Sequence, residues 1–210
     1  MRVFASLLAA SALLLGAVEA QASPRRVASL NLCTDELLLL LAAPGQIASV
    51  THLSQQEAET PLWRQARRHP RNDGSLLSVV AFRPDLIVTM GGATRDRIGI
   101  AGRLDIEVLD LAFAQSLADV GENIRRLAVA IGRPAEGAAL IRRMTALIES
   151  RPTRRIDAIW LGGGGRTVAP SGLEAQWMAL AGLRQRAIQG DRVPLETLIA
   201  EPPALLLRSD

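Results

Sequence analysis

Apolar residues along this chain fall into short unbroken runs, and between them lie stretches where apolar residues step by three and four. That alternation is the mark of buried parallel strands covered by helices. Arg26–Leu30 reads as a first strand. A helix over Glu36–Ala42, capped by Thr34 or Asp35, follows and is stopped by Pro44-Gly45. Ile47–Val50 gives a second strand. From Thr51 to Gly74 the pattern fades into polar residues, two histidines, Trp63 and prolines, so a long surface loop with one short helix is expected there. A helix at Leu76–Phe82, a strand at Leu86–Thr89, a short helix at Ile98–Leu104 and a strand at Ile106–Asp110 continue the alternation.

Ser116-Leu117-Ala118-Asp119 then resembles a capping box, opening a helix with Leu117, Val120, Ile124, Leu127 and Ile131 on one face. Gly132-Arg133-Pro134 breaks it, and a second helix runs from about Ala135 to Glu149, roughly 22 Å at 1.5 Å per residue. Ile156–Leu161 begins a second sheet, followed by a glycine run, a helix near Leu173–Ala181, a loop and a final helix and strand.

That final unit repeats an earlier one. Leu76–Val88 and Leu195–Leu207 both read as a short apolar helix, a proline-marked break and a buried strand, at a constant offset of 119 positions (195 − 76 and 207 − 88), with Ala81/Ala200 and Pro84/Pro203 identical. A repeated supersecondary unit predicts two similar lobes, and a cleft between lobes is a usual ligand site. The expected organisation is therefore a leader over 1–22, an N-terminal α/β lobe over 23–112, a helical connection over 113–155 and a C-terminal α/β lobe over 156–210. The counterpart of strand Ile106–Asp110 would fall at 225–229, so the second lobe is expected to be incomplete, either as a reduced lobe or as a shortened frame.

Composition changes this picture at the N-terminus. Met1-Arg2, a mostly apolar run from Val3 to Val18, and Ala20-Gln21-Ala22 have the form of a cleavable secretory signal, and the run is short for a spanning helix. Cleavage after Ala22 would leave 188 residues (210 − 22). All the basic residues are arginine, and the chain has 24 of them against 21 acids with no tyrosine. The charges are interspersed and aromatics are scarce, which argues against a nucleic-acid surface. A single cysteine excludes an internal disulfide.

The segment Arg26–Leu39, the segment Ala81-Phe82-Arg83-Pro84-Asp85-Leu86-Ile87-Val88 and the long helix beginning near Pro134 together resemble the periplasmic substrate-binding proteins of ABC importers for vitamin B12 and ferric siderophores. The resemblance runs from about Pro24 to the C-terminus. It implies two Rossmann-like lobes with mostly parallel sheets joined by one long bridging helix, a metal chelate or corrinoid in the cleft, and an ABC permease of the inner membrane as partner. No catalysis, no intrinsic cofactor and a monomer are expected with it. In that family a surface glutamate on each lobe docks on the permease. Glu196 stands at the matching position of the second lobe, as a docking residue or as an ordinary helix carboxylate. Leu77 stands at the matching position of the first, where it can form no ion pair; Glu57 and Glu59 are possible substitutes.

Ligands of parallel sheets sit beyond the carboxyl ends of the strands. That rule selects Asn31, Cys33 and Thr34, His52, Gly91 and Gly92 with Arg95, and Gly163 and Gly164 with Arg166. The two glycine clusters stand at strand ends in opposite lobes, where glycine admits a bulky ligand and arginine can pair with carboxylate or phosphate; two plain turns with solvated arginines are the alternative. Trp63 and Trp177 are candidate ring-stacking walls, whereas Trp160 alternates into the core. His52 is read as a loop residue or as an iron or cobalt ligand, His69 as exposed, and Cys33 as a small buried residue or a ligand contact. Two histidines and one cysteine without ligand spacing argue against a protein-built metal site. The Gly162–Gly165 run lacks the Lys-Ser/Thr of a phosphate loop. There is no G-x-S-x-G elbow or H-E-x-x-H motif. A secreted α/β enzyme or chelatase-like protein acting on a tetrapyrrole is the alternative function, and a degenerate relative that no longer transports is a third.

Overall fold

A computed structural model describes residues 26–92 and 95–209, with the side chains of residues 95–97 left aside. The expected leader, Met1–Ala22, lies outside the described residues. Two separate sheets are present, and every strand pairing within them is parallel.

The first sheet has the order β3-β2-β1-β4-β5. Its strands are β1 (Val27–Ser29), β2 (Ile47–Thr51), β3 (Arg71–Asn72), β4 (Leu86–Met90) and β5 (Glu107–Leu111). Period-two alternation sends their side chains to opposite faces. Val27, Leu86 and Val88 meet α1 (Leu32–Leu41) and α5 (Leu117–Ala130) on one face, through Leu38, Leu41, Ile124 and Leu127. Ala28 and Ile87 meet α3 (Leu76–Val80) and α4 (Arg95–Arg103) on the other, through Leu76, Val79 and Ala101. A smaller cluster of Leu39, Val50 and Ala66 holds α2 (Trp63–Ala66) against the β2 side.

The region read as one long loop thus contains a third strand. β3 is only two residues long and carries no apolar pattern, since Arg71 is exposed and Asn72 is buried as a hydrogen-bonding residue. The first helix begins earlier than expected, at Leu32. Asn31, rather than Thr34 or Asp35, caps it by accepting from the Thr34 amide at 3.0 Å. Ser116 caps α5 as expected, accepting from the Asp119 amide, but Asp119 accepts from the Gln115 amide at 2.9 Å, one residue before the cap.

Helix α6 (Pro134–Glu149) follows α5 through a Schellman turn, in which the Arg133 amide bonds Ala128 O and the Gly132 amide bonds Val129 O. The two helices cross where Gly137 meets Ala128; a Cβ on Gly137 would stand 2.4 Å from the Ala128 Cβ. Gly137 is the one buried residue of α6 among its sixteen. At 1.5 Å per residue the helix is about 24 Å long.

The second sheet has the order β7-β6-β8, with β6 (Ile156–Leu161), β7 (Leu183–Gln185) and β8 (Leu205–Arg208). Helix α7 (Leu173–Leu180) covers it through Met178, packed with Ala158 and Leu183, and Trp160 lies partly buried against that cluster as expected. Helix α8 (Leu195–Ala200) precedes β8. The repeat predicted from sequence is present: α3 and α8 start at Leu76 and Leu195, and β4 and β8 start at Leu86 and Leu205, both 119 apart. The triplets β2-β1-β4 and β7-β6-β8 share one order. A hydrogen bond from the Leu117 amide to Gln176 Oε1, 3.0 Å long, ties α5 to α7 and so links the two halves.

Candidate functional site

Because the first sheet is wholly parallel, its strand ends line one edge: Asp73, His52, Asn31, Gly91 and Ala112-Phe113 follow β3, β2, β1, β4 and β5 in spatial order. The strand order reverses direction at β1 and β4, and the crevice at such a switch point is where ligands of open α/β sheets sit. A buried polar network builds its floor. Ser29 Oγ and Thr34 Oγ1 lie 2.7 Å apart, and Asn31 Nδ2 donates to Thr89 Oγ1 across the β1–β4 boundary at 3.4 Å. Asn72 Nδ2 donates to Ser29 O and Ser49 Oγ, each at 2.9 Å. No buried side-chain nitrogen or oxygen among the described residues lacks a partner.

Asp35 anchors this floor to β2. It is fully buried, both carboxylate oxygens accept from the Thr51 amide at 3.1 Å, and Oδ2 also accepts from Thr51 Oγ1 at 2.5 Å. Burial pushes its pKa up, against the downward pull of the hydroxyl and amide donors from Ser29, Thr51 and Ser54.

The structure separates the sequence-selected residues by what they can do. Thr34 is fully buried and its hydroxyl bonds Ser29 and Asn31, so it serves the scaffold and offers no surface to a ligand. Asn31 is partly exposed, but its amide is already engaged by the helix cap and Thr89. Cys33 is exposed on the first turn of α1, contrary to the buried reading, because it points away from the face that carries Leu38 and Leu41. Partial burial of its sulfur, with Glu36 and Asp35 nearby, raises its pKa. His52 is exposed beyond β2. His69 is half-buried rather than exposed, since Gln55 Nε2 holds its carbonyl at 2.9 Å; burial and then Arg68 lower its pKa.

Gly91 has φ +62°, and the space a side chain would fill is occupied by the Phe113 ring, 2.1 Å from an ideal Cβ. Its first neighbour is therefore an aromatic ring. Phe113 itself is 66% exposed, an aromatic wall at the β4–β5 strand ends that a pattern-based reading passes over because the residue sits in a loop. Gly92 donates its amide to Asp110 Oδ1 at 3.3 Å. The Arg95 side chain lies outside the described set.

In the second half, Gly163 and Gly164 form a tight turn closed by the Gly165 amide on Gly162 O, and the Gly164 carbonyl accepts from Arg192 at 3.1 Å. Arg166 is paired with Asp191 at 3.1 Å, so it is not a free cation. Trp177 is exposed on α7, and Trp63 is partly exposed with the guanidinium carbons of Arg64 and Arg67 each 4.5 Å from its ring centre.

Two adjoining cavities at the β2–β3 end share His52 and Arg71. One, about 390 Å³, is completed by Asn72, Asp73 and Ser78; the other, about 280 Å³, by Gln55, Gln56 and Arg67. Neither is lined by Asn31, Gly91, Gly163, Arg166 or Trp177. Among the described residues no group of three or more His, Cys, Asp or Glu could hold a metal ion, and no helix is long and apolar enough to cross a membrane.

Solved structures place this architecture. A periplasmic binding protein from Veillonella parvula is 14% identical with a TM-score of 0.69, over 90% of this chain and 72% of its own. The periplasmic heme-binding protein RhuT from Roseiflexus is 19% identical with a TM-score of 0.68, over 88% and 76% respectively. The periplasmic vitamin B12 binding protein BtuF of Vibrio cholerae is 16% identical with a TM-score of 0.62, over 90% and 77%. No family model and no curated protein matches the sequence. The chain has the α/β fold of periplasmic substrate-binding proteins.

Proposed function

We propose that this protein is the periplasmic solute-binding component of an ABC importer, taking a metal chelate such as a ferric siderophore or haem, or a corrinoid such as cobalamin, and delivering it to the permease. The observation that carries the reading is the duplicated parallel unit, β2-β1-β4 and β7-β6-β8, in a fold shared with binding proteins for heme and vitamin B12. The strand-end edge of the first sheet then supplies one wall, with exposed His52 and Phe113, and exposed Trp177 on α7 is the aromatic candidate of the second half. The N-terminal leader directs export. Binding, without turnover, is the whole of the activity.

Docking on the permease is assigned to Glu196, exposed on α8. Its repeat-related position, Leu77, is 82% exposed and apolar, so the first lobe meets the permease without an ion pair there. Titration of the purified protein with cobalamin, haem and ferric siderophores, followed by tryptophan fluorescence and thermal stability, tests the reading. A bound cargo at a hundred times its Kd adds about 2.7 kcal/mol of stability. Conversion of any of these compounds to product would instead favour a secreted enzyme acting on a tetrapyrrole. Failure to bind all of them would remove the transport reading.

A further inference from the structure

We propose that Arg67, Arg71 and His52 form a binding site for a carboxylate or phosphate group, at the β2–β3 edge of the first sheet and on the far side of β2 from the β1–β4 crevice. The smaller of the two adjoining cavities, about 280 Å³, is lined by His52, Gln55, Gln56, Arg67 and Arg71, and so by cationic and amide side chains with no carboxylate. Glu57 and Glu59, close by in sequence, line neither cavity.

The Arg67 guanidinium is held in place before any ligand arrives. Its carbon stands 4.5 Å from the Trp63 ring centre, and its Nε donates to Gln55 O at 3.0 Å. Gln55 is fixed in turn, since its Nε2 donates to Ala66 O at 3.3 Å and to His69 O at 2.9 Å. These contacts use one edge of the guanidinium and leave its terminal nitrogens without a partner among the described residues. A planar fork fixed this way suits bidentate recognition of an oxyanion, because little rotamer entropy remains to be lost.

Arg71 and the His52 ring also have no side-chain partner among the described residues. An acid, Asp73, lines the neighbouring cavity together with Arg71 and His52. Its carboxylate accepts from the Ser75 amide at 2.8 Å, and the Ser75 and Ser78 donors pull its pKa down to about 2, so its own loop already satisfies it. Asp73 stays ionised but forms no ion pair with Arg71, so the Arg71 donors remain available to the smaller cavity, which no carboxylate lines.

Two sources can supply the oxyanion: a free small anion, or the carboxylate arm of a larger cargo. Calorimetric titration of the purified protein at low ionic strength with inorganic phosphate, citrate, haem and haem dimethyl ester separates them. A free anion is the source if phosphate or citrate binds and Arg67→Gln or Arg71→Gln weakens it about tenfold. A cargo arm is the source if haem binds more tightly than its ester and the same substitutions abolish only that difference. Trp63→Leu should weaken either interaction by a smaller factor, because it loosens Arg67 without removing its charge. Arg142→Gln, an exposed charge on α6, should change nothing. The inference is overturned if no anion binding or carboxylate preference is found, or if Arg142→Gln matches Arg67→Gln. Equal binding of haem and its ester, insensitive to both arginines, overturns this site while leaving the transport reading intact.

Discussion

The two copies of the repeated unit have the same chain geometry and opposite surroundings. In the first, β4 lies between β1 and β5, its Leu86 and Ile87 are 0% and 1% exposed, and α3 buries Leu76 and Val79. In the second, β8 is the edge of its sheet, the corresponding Leu205 and Leu206 are 40% and 42% exposed, and α8 buries nothing. Hydrophobic pattern set the path of both copies. What the same apolar residues contribute depends on whether neighbouring elements remove them from water, since the effect scales with the area buried.

Paired truncations test that contrast most strongly. Leu86→Ala opens a cavity beneath α1 and α5 and should cost about 2–5 kcal/mol, whereas Leu205→Ala should cost less than about 1 kcal/mol. Chemical denaturation of the two variants measures both. Equal losses would mean that β8 is covered in solution. Next in size is Gly137→Ala at the crossing of α5 and α6, where the new methyl would overlap Ala128. Overpacking of this kind costs about 1–3 kcal/mol, read as a lower melting temperature. No comparable contact exists at Gly163, where an added Cβ meets nothing within 4 Å.

Titration separates the halves further. An acid with a raised folded-state pKa binds its proton more tightly when folded, so its stabilising contribution is complete below the ordinary carboxylate value and is lost as pH climbs through the folded one. Asp35 is such a group. Relative to wild type, Asp35→Asn should therefore gain stability as pH rises from about 3.9 through the folded pKa, and the difference should level off above it. Melting temperatures of both proteins across that range are the measurement; a constant difference would show that Asp35 titrates as in the unfolded chain. The smallest effect is expected in the second half. Asp191→Asn breaks an exposed pair with Arg166 and should change stability by less than about 1 kcal/mol.

The elements whose residues alternate or step regularly were legible from sequence, and the repeat was legible to the residue. β3 was not, because Arg71-Asn72 is held by backbone pairing and by the Asn72 side chain instead of by apolar burial. The cap of α1 was misplaced among three neighbouring cap formers, Asn31, Thr34 and Asp35, and only tertiary structure shows that the latter two face inward. Site residues were less legible. His52, selected by strand-end position, lines an open cavity, yet that rule could not show that Asp191 already occupies Arg166 or that Phe113 sits on Gly91. Those are pairings across long sequence separations, for which local pattern carries no signal.

The placement of Cys33 has a practical consequence. It is the chain's single cysteine, it is exposed, and it lies two residues past the end of the loop that leads out of β1 toward the crevice. With no lysine anywhere in the sequence, a maleimide dye or nitroxide would attach at one known point without any engineering. The raised thiol pKa calls for mildly alkaline coupling, after which the probe would report on events at the mouth of the first sheet.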